Sequence, residues 1–291
     1  MCKRKYLLIR NYYKVLISFV DKDTDLVFKT LYINGVNNIL EDNNKLTVFF
    51  PEGKEKLLIK LLSSFRNLKS TEPVFISVNT YKGRDWYKLW EKSVDIINIK
   101  NKIVIYPPWK KNKIRKYKNK LLIEIEPKMS FGTGYSETTQ VMLGLMCDYI
   151  SPEDKYMLDY GCGTALLSIA GIKLGLHKAV AIDIDKDSVF NAKEYLKKNK
   201  VLKQVKLYNT DLKKIRERNF DIICANIDFK VIVNNIMLIY KKLKQEGKLF
   251  ISGILKKEEK SILEILSTND FLVKDLIYKS KWLGIYSEKT T

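Results

Sequence analysis

The sequence predicts an α/β protein in two parts. The larger is a doubly wound, mostly parallel Rossmann-like sheet, and a smaller α+β ferredoxin-like domain precedes it. Three observations predict this. Residues 155–185 read as strand, glycine turn, helix and strand, with an acid closing the second strand. From there to the C-terminus, apolar runs of strand length alternate with segments of helical period. Residues 1–81 read instead as β-α-β-β-α-β. The expected boundaries are 1–81 for the first domain, 82–100 for a linker helix and 101–291 for the second domain.

The first domain is built from short signals. Tyr12 to Val20 reads as a strand, and Asp25 to Tyr32 as a short helix closed by Asn34-Gly35. Val36 to Leu40 and Leu46 to Phe50 are strands joined by a polar turn. Gly53 to Phe65 places Leu57, Leu58, Leu61, Leu62 and Phe65 on one helical face, and Val74 to Val78 is a further strand. Lys82 to Lys92 reads as a connecting helix with Trp86 and Trp90 on one face, there to pack rather than to bind. Ile103 to Tyr106 and Leu121 to Ile125 are strands flanking a basic segment.

Composition bounds the function. With 46% hydrophobic and 30% charged residues, the 291-residue chain is globular. It has no apolar run of about eighteen residues, the length a membrane helix needs. The basic N-terminus carries too short an apolar stretch for a signal peptide. Cys2, Cys147, Cys162 and Cys224 are scattered with no C-x-x-C pair, so neither a disulfide framework nor a zinc site is expected and a reducing cytoplasm fits. The single histidine, His177, falls in a helix-to-strand loop, which leaves histidine-based catalysis without a base. Two readings account for the net charge of +20. One is an anionic partner such as RNA or an acidic peptide. The other is a codon bias that favours Lys, Asn, Ile and Tyr. Lys110 to Lys120 resists the second reading: seven of its eleven residues are Lys or Arg and none is acidic. It is either an electrostatic contact surface or a solvated hairpin loop.

The unit at 155–185 is a nucleoside cradle. Gly161 and Gly163 allow a sharp turn and close approach of backbone to a ligand. Thr164 to Leu174 has helical spacing, with Gly175 as its stop. Asp183 ends the next strand, 22 residues after Gly161, where a carboxylate accepts from both ribose hydroxyls. A dinucleotide fingerprint needs a third glycine for the pyrophosphate, but Leu166 stands there. Asp159, two residues before the first glycine, suits a cationic ligand rather than a phosphate. The later strands end at Asp211, placed to meet an adenine, and at Asn226-Ile227-Asp228. Gly161, Asp183, Asp211 and Asn226 all fall at C-terminal strand ends, where doubly wound sheets bind ligands. Phe271 to Tyr278 and Trp282 to Tyr286 close the sheet as an antiparallel pair.

Pro127 to Thr139 is the second unusual stretch. Gly132 and Gly134 allow a tight loop before a helix at Val141 to Tyr149. Thr138 and Thr139 are placed to cap that helix and to donate to a ligand carboxylate or ribose, and a plain helix-capping loop accounts for them equally.

The pattern Asp159-x-Gly161-x-Gly163 resembles motif I of class I methyltransferases, whose S-adenosylmethionine carries an ammonium, a sulfonium and a ribose. The chain as a whole resembles the PrmA family, which methylates ribosomal protein L11. The resemblance runs through Asp85-Trp86 with Trp90, Pro107-Pro108-Trp109, Ser130 to Gly134 with Thr138-Thr139, Asp159 to Ala170 and Ala181 to Asp185. It continues through Ala225 to Ile227, Ser252 to Leu255 and Lys281-Trp282. It implies a substrate-gripping first domain and S-adenosylmethionine as cofactor. It also implies contacts to cofactor or acceptor from Phe131, Thr133, Thr138, Thr139, Asp159, Gly161, Gly163, Asp183, Asp211 and Asn226. Three positions depart from the family: Ala165 where glycine is usual, Ser136 where histidine is common, and Asp228 where an apolar residue is common.

Methyl transfer is a direct displacement that needs an in-line nucleophile with its lone pair free. An α-amine, with a pKa of about 8, loses its proton readily, whereas lysine at about 10.4 needs desolvation as well. Asn226 suits an amine acceptor, because its side-chain oxygen accepts an amine N–H and aims the lone pair. Nucleobase and glutamine methyltransferases often follow this Asn with Pro-Pro and an aromatic that stacks on a planar acceptor. Ile227-Asp228-Phe229 lacks both prolines, which favours an aliphatic amine. Asp228 adds attraction for a cationic acceptor. The expected activity is N-methylation of α-amino and lysine amines of a ribosomal protein. The alternatives are a peptide or small natural-product amine as acceptor, and a non-catalytic RNA-binding module.

Overall fold

The computed structural model describes residues 12–36, 39–42, 45–81, 94–126 and 134–290. The chain divides into two compact units, Met1–Val94 and Asp95–Thr291. The expected helix at 82–92 lies outside the described residues, as do Phe131 and Thr133. The last part of the expected linker is not helical, since Ile97–Ile99 is a strand.

The first unit runs β1 (Tyr12–Ser18), α1 (Thr24–Ile33), β2 (Ile39–Asp42), β3 (Lys45–Pro51), α2 (Glu55–Arg66) and β4 (Phe75–Tyr81). Its sheet is antiparallel in the order β2-β3-β1-β4. Period-two burial sends Val15, Ile17, Leu46, Val48 and Phe50 to one face. There they meet Val27 and Leu31 of α1 and Leu58, Leu61 and Phe65 of α2. The Asn-Gly signal ends α1 by a specific geometry. Asn34 Nδ2 donates to the Thr30 carbonyl at 2.8 Å, Gly35 takes φ 72°, and the Val36 N–H returns to the Leu31 carbonyl. These bonds satisfy carbonyls that the last turn of a helix leaves unpaired.

The second unit opens with β5 (Ile97–Ile99), β6 (Ile103–Tyr106) and β7 (Leu121–Glu124), a three-stranded sheet. β5 runs antiparallel to β6, but β6 and β7 are parallel. The basic segment is therefore a crossover and not a hairpin loop, and Pro108–Tyr117 is a 3-10 helix within it. Parallel strands cannot be joined by a tight turn, so the segment has to travel the length of the sheet.

Then follow α3 (Glu137–Tyr149), β8 (Tyr156–Tyr160), α4 (Leu166–Lys173), β9 (Lys178–Asp183), α5 (Lys186–Lys198), β10 (Val205–Asn209) and β11 (Phe220–Asn226). The chain ends with α6 (Phe229–Lys242), β12 (Leu243–Leu255), α7 (Glu259–Thr268), β13 (Phe271–Lys279) and β14 (Trp282–Lys289). The seven strands are ordered β10-β9-β8-β11-β12-β14-β13. The first five are parallel, and β14 and β13 close the sheet antiparallel.

Each buried strand divides its residues between two cores. Met157, Ala179, Ala181, Ile222, Cys224 and Phe250 face one core together with residues of α3, α4 and α5. Leu158, Val180, Ile182, Ile223, Leu249 and Ile251 face the other with residues of α6 and α7. Both faces of a parallel sheet are covered, so the strands read as continuous apolar runs while still alternating in space. β8 leads to β9 on one side and β11 leads to β12 on the other. The crevice between the C-terminal ends of β8 and β11 is thus the topological switch point.

α3 lies across β12 and β14. A Cβ at Gly284 of β14 would collide with Val141 Cγ1 of α3. Gly284→Ala should therefore cost about 1–3 kcal/mol by overpacking, a fall in melting temperature of about 3–10 °C for a unit of this size. Val141→Ala removes the colliding methyl, and thermal melts should show it restoring much of that loss in the double variant.

Candidate cofactor and acceptor site

The glycine turn closes directly onto β9. The N–H groups of Gly161 and Cys162 both donate to the Ile182 carbonyl at 2.9 Å. Gly161, Gly163 and Ala165 take φ of 72°, 52° and 59°. Alanine at a left-handed position costs about 1 kcal/mol relative to the right-handed region, and Ala165 is fully buried there. The backbone, not the ligand, accounts for glycine being usual at this position. α4 begins at Leu166, two residues later than its spacing predicts.

Asp183 faces the turn. Its Oδ2 accepts from Gly163 N at 2.8 Å and its Oδ1 from Asp185 N at 2.9 Å. Each carboxylate oxygen has two acceptor positions, so each keeps one for a ribose hydroxyl. Ile184, the next residue, is 77% exposed and offers an apolar surface beside Asp183 on which a base could lie. Leu166, where a pyrophosphate-binding site would have glycine, is buried and sits close to Gly134. These features fit S-adenosylmethionine: Asp183 would hold the ribose, the 161–163 turn would pass under it, and Ile184 would face the adenine.

Asp159 does something the sequence does not show. It is 1% exposed, and its Oδ2 accepts from both Ser168 N at 2.9 Å and Ser168 Oγ at 2.7 Å. The carboxylate ties the end of β8 to the first turn of α4, where the helix dipole favours negative charge. Burial pushes its pKa up to about 6, against the pull of the two Ser168 bonds, and the charge of Asp183 adds to the rise. Burial likewise raises the Cys162 and Cys224 thiols, which leaves them un-ionised and poor nucleophiles.

Asn226, half-buried at the end of β11, donates through Nδ2 to Thr139 Oγ1 at 3.3 Å. Thr139 Oγ1 lies 2.7 Å from Ser136 Oγ, which also accepts from Thr139 N and Thr138 Oγ1. Ser136, not Thr138 or Thr139, is the N-cap of α3. That frees Thr139, 2% exposed, to hold the asparagine. Ile227 follows, and a Cβ at either Gly161 or Gly253 would collide with it. Gly253 takes φ 85° at an irregularity in the pairing of β12 with β14.

Two expected site residues are helix caps. Asp228 is exposed and accepts from Lys230 N at 2.9 Å as N-cap of α6. Asp211 caps the short turn Leu212–Lys214 through Lys213 N at 3.3 Å, next to Asn209, whose amide donates to the Asp183 and Ile184 carbonyls. His177 is exposed, and Cys147, Cys162 and Cys224 are buried free thiols. Among the described residues no cluster suited to a metal ion occurs, and no helix is long and apolar enough to cross a membrane.

The glycine turn, Asp183 facing it and Leu166 in place of a third glycine fit the nucleoside of S-adenosylmethionine better than a dinucleotide. The chain is a class I methyltransferase that uses S-adenosylmethionine, as the family it matches and its solved relative indicate. The family described as "Ribosomal protein L11 methyltransferase (PrmA)" matches residues 16–290, and the chain belongs to that family. It is 32% identical over 213 residues to the ribosomal protein L11 methyltransferase of Listeria innocua, covering 73% of this chain and 67% of the relative. Identity to the protein of the same name from Thermoanaerobacter pseudethanolicus is 34% over 214 residues, covering 74% and 68%. A solved structure of ribosomal protein L11 methylase from Lactobacillus delbrueckii subsp. bulgaricus superposes with a TM-score of 0.62 at 26% identity. It covers 68% of this chain and all of its own.

The buried Asp159 makes stability depend on pH with a definite sign. Its folded pKa, about 6, lies above the ordinary 3.8. Its contribution is therefore fully present below about pH 4 and is lost as pH rises through 6. Asp159→Asn keeps an acceptor for Ser168 and removes the titration. The unfolding free energy of the variant relative to the natural protein should rise by about 2–3 kcal/mol between pH 4 and pH 8, read from denaturant melts across that range.

Proposed function

We propose that the chain N-methylates a ribosomal protein, of the kind named for its relatives as L11, on lysine and α-amino nitrogens. The observation that carries this is the orientation of Asn226. Thr139 takes its Nδ2, so its Oδ1 is turned to accept from an incoming amine. An amine that donates one N–H to Oδ1 presents its lone pair in a fixed direction. The cofactor, when bound, supplies an electrophilic methyl on a sulfonium. Asn226 would aim the neutral nitrogen's lone pair at that methyl, with the thioether as leaving group, and the nitrogen's surplus proton would leave to water.

Thr139, Thr138 and Ser136 act through Asn226 rather than on the acceptor. Asp183 and the Gly161–Gly163 turn hold the ribose, Asp211 lies toward the adenine amino group, and Phe131 and Thr133 complete the cofactor contacts. Asp159 supports these contacts from behind by fixing α4. Asp228 caps α6 and also offers an exposed negative charge two residues from Asn226, suited to an ammonium that arrives before losing its proton. The first unit is the part that grips the substrate protein, the basic run at Lys110 to Lys120 is suited to an anionic contact, and the cytoplasm is the expected site of action.

Intact mass spectrometry of the organism's own L11, incubated with the enzyme and S-adenosylmethionine, should show mass increments of one or more methyl groups. Asn226→Ala should slow turnover by about 100-fold, with cofactor affinity by calorimetry little changed. No increment with tight cofactor binding would move the acceptor to another peptide or small amine. Asp228→Asn keeps the helix cap without the charge. A raised KM with unchanged kcat is expected, and unchanged kinetics would remove Asp228 from the acceptor site.

A further inference from the structure

The basic run between β6 and β7 is built differently from a solvated loop. Its 3-10 helix has three residues per turn, so residues three apart share a face. Lys113 and Lys116 fall on one face, and Arg115 and Lys118 continue the line of Asn112 on the next. The third face begins with the exposed Lys111 and goes on to Ile114 and Tyr117, both half-buried. Lys111, Lys113, Arg115, Lys116 and Lys118 are all exposed; none lies within 4 Å of a carboxylate among the described residues, although Lys113 also acts on the Asp95 carboxylate and Lys116 lies over the Tyr117 ring. At about 2 Å rise per residue, cations on one face repeat every ~6 Å along the axis. That repeat is comparable to the separation of successive phosphates along one nucleic-acid strand.

The run starts beside the acceptor site. Lys110, 9% exposed, pairs with Asp95 at 2.5 Å, and this bond holds the Asp95 carboxyl below its ordinary pKa. The Asp95 carbonyl accepts from Tyr135 OH at 2.8 Å. Tyr135 adjoins Ser136, the cap that supports Thr139 and through it Asn226. One residue thus pins both the origin of the basic run and the loop that enters the acceptor site.

We infer that this run docks the phosphate backbone of RNA, laid along the 3-10 helix next to the acceptor site. The exposed positions are lysine, arginine and asparagine, with the apolar side chains turned inward. Protein docking sites bury an apolar or aromatic centre and are poor in lysine, so this surface suits phosphates better than an acidic peptide. Phosphate contacts need only cations and amide donors and carry no sequence information, so the binding is expected to be salt-dependent and indifferent to sequence. The inference does not depend on the identity of the methyl acceptor.

The test is fluorescence anisotropy of a labelled oligouridine of about twelve nucleotides with the full chain and no acceptor present. With about four phosphates neutralised, affinity should fall about fiftyfold between ~50 and ~200 mM salt. Arg115→Glu/Lys118→Glu should lower affinity by about tenfold or more and reduce the salt slope by about half. Lys193→Glu/Lys197→Glu on the exposed side of α5 makes the same charge change elsewhere and should have little effect. Circular dichroism and S-adenosylmethionine binding confirm that each variant is folded. Affinity that survives Arg115→Glu/Lys118→Glu overturns the inference, as does an equal loss from the α5 variant. Preference for oligoglutamate over oligouridine overturns it in favour of an acidic peptide.

Discussion

Everything at the switch point depends on one close packing, that of Ile227 against two glycines. Gly161 ends the first strand of the cofactor unit and Gly253 interrupts β12, and a Cβ on either would occupy the space of Ile227. The turn that bonds Asp183, the strand end that carries Asn226 and the irregular point in β12 thereby become one packed object. Glycine at Gly253 answers a backbone at φ 85° as well as a contact. The Ser-Gly-Ile-Leu segment at 252–255 is therefore structural, although it lies far from the glycine turn in sequence.

The acceptor side is assembled from more distant pieces. Thr139 reaches Asn226 only because α3 begins where it does, and the far edge of the sheet fixes that beginning. Lys279 Nζ, at the end of β13, donates to Gln140 Oε1, and Ser280 Oγ, in the turn before β14, to Glu137 Oε1, both at 2.5 Å. The antiparallel pair that closes the sheet thus also anchors the first turn of the helix whose threonine aims the amide. A hydrogen bond of 3.3 Å is a weak constraint alone. Held between a capped helix and a buried strand end, it selects one orientation of the asparagine.

The legible part of this site was local. Strand, turn and helix periodicity located the strand-turn-helix-strand unit, and the spacing from Gly161 to Asp183 set the acid beside the glycine turn, because a β-α-β unit has few ways to close. Asn226 was legible for a similar reason, as a polar residue terminating an apolar strand. The partners of these residues were not. Ser168 looks like any serine in an apolar helix, and nothing local says that it partly offsets the desolvation of Asp159 nine residues earlier. Ser136 and the two threonines compete for one capping role, and only the helix start decides among them. The parallel pairing of β6 and β7 escaped because two short apolar runs with a polar stretch between them look alike for a hairpin and a crossover. Length would have separated them: some fourteen residues are too many for a tight turn.

The division of each central strand between two cores fixes the phase of the functional ends. Asp159 and Ala181 sit opposite one another in adjacent strands, and Cys224 lies opposite Asp159 on the other side. One residue inserted into β8 ahead of Asp159 would turn the carboxylate away from α4 and toward α6, among isoleucines with no serine to receive it. The same slip in β11 would carry Asn226 past the reach of Thr139. A change of length in a connection such as the crossover after β6 leaves that phase intact, whereas one inside a parallel strand does not.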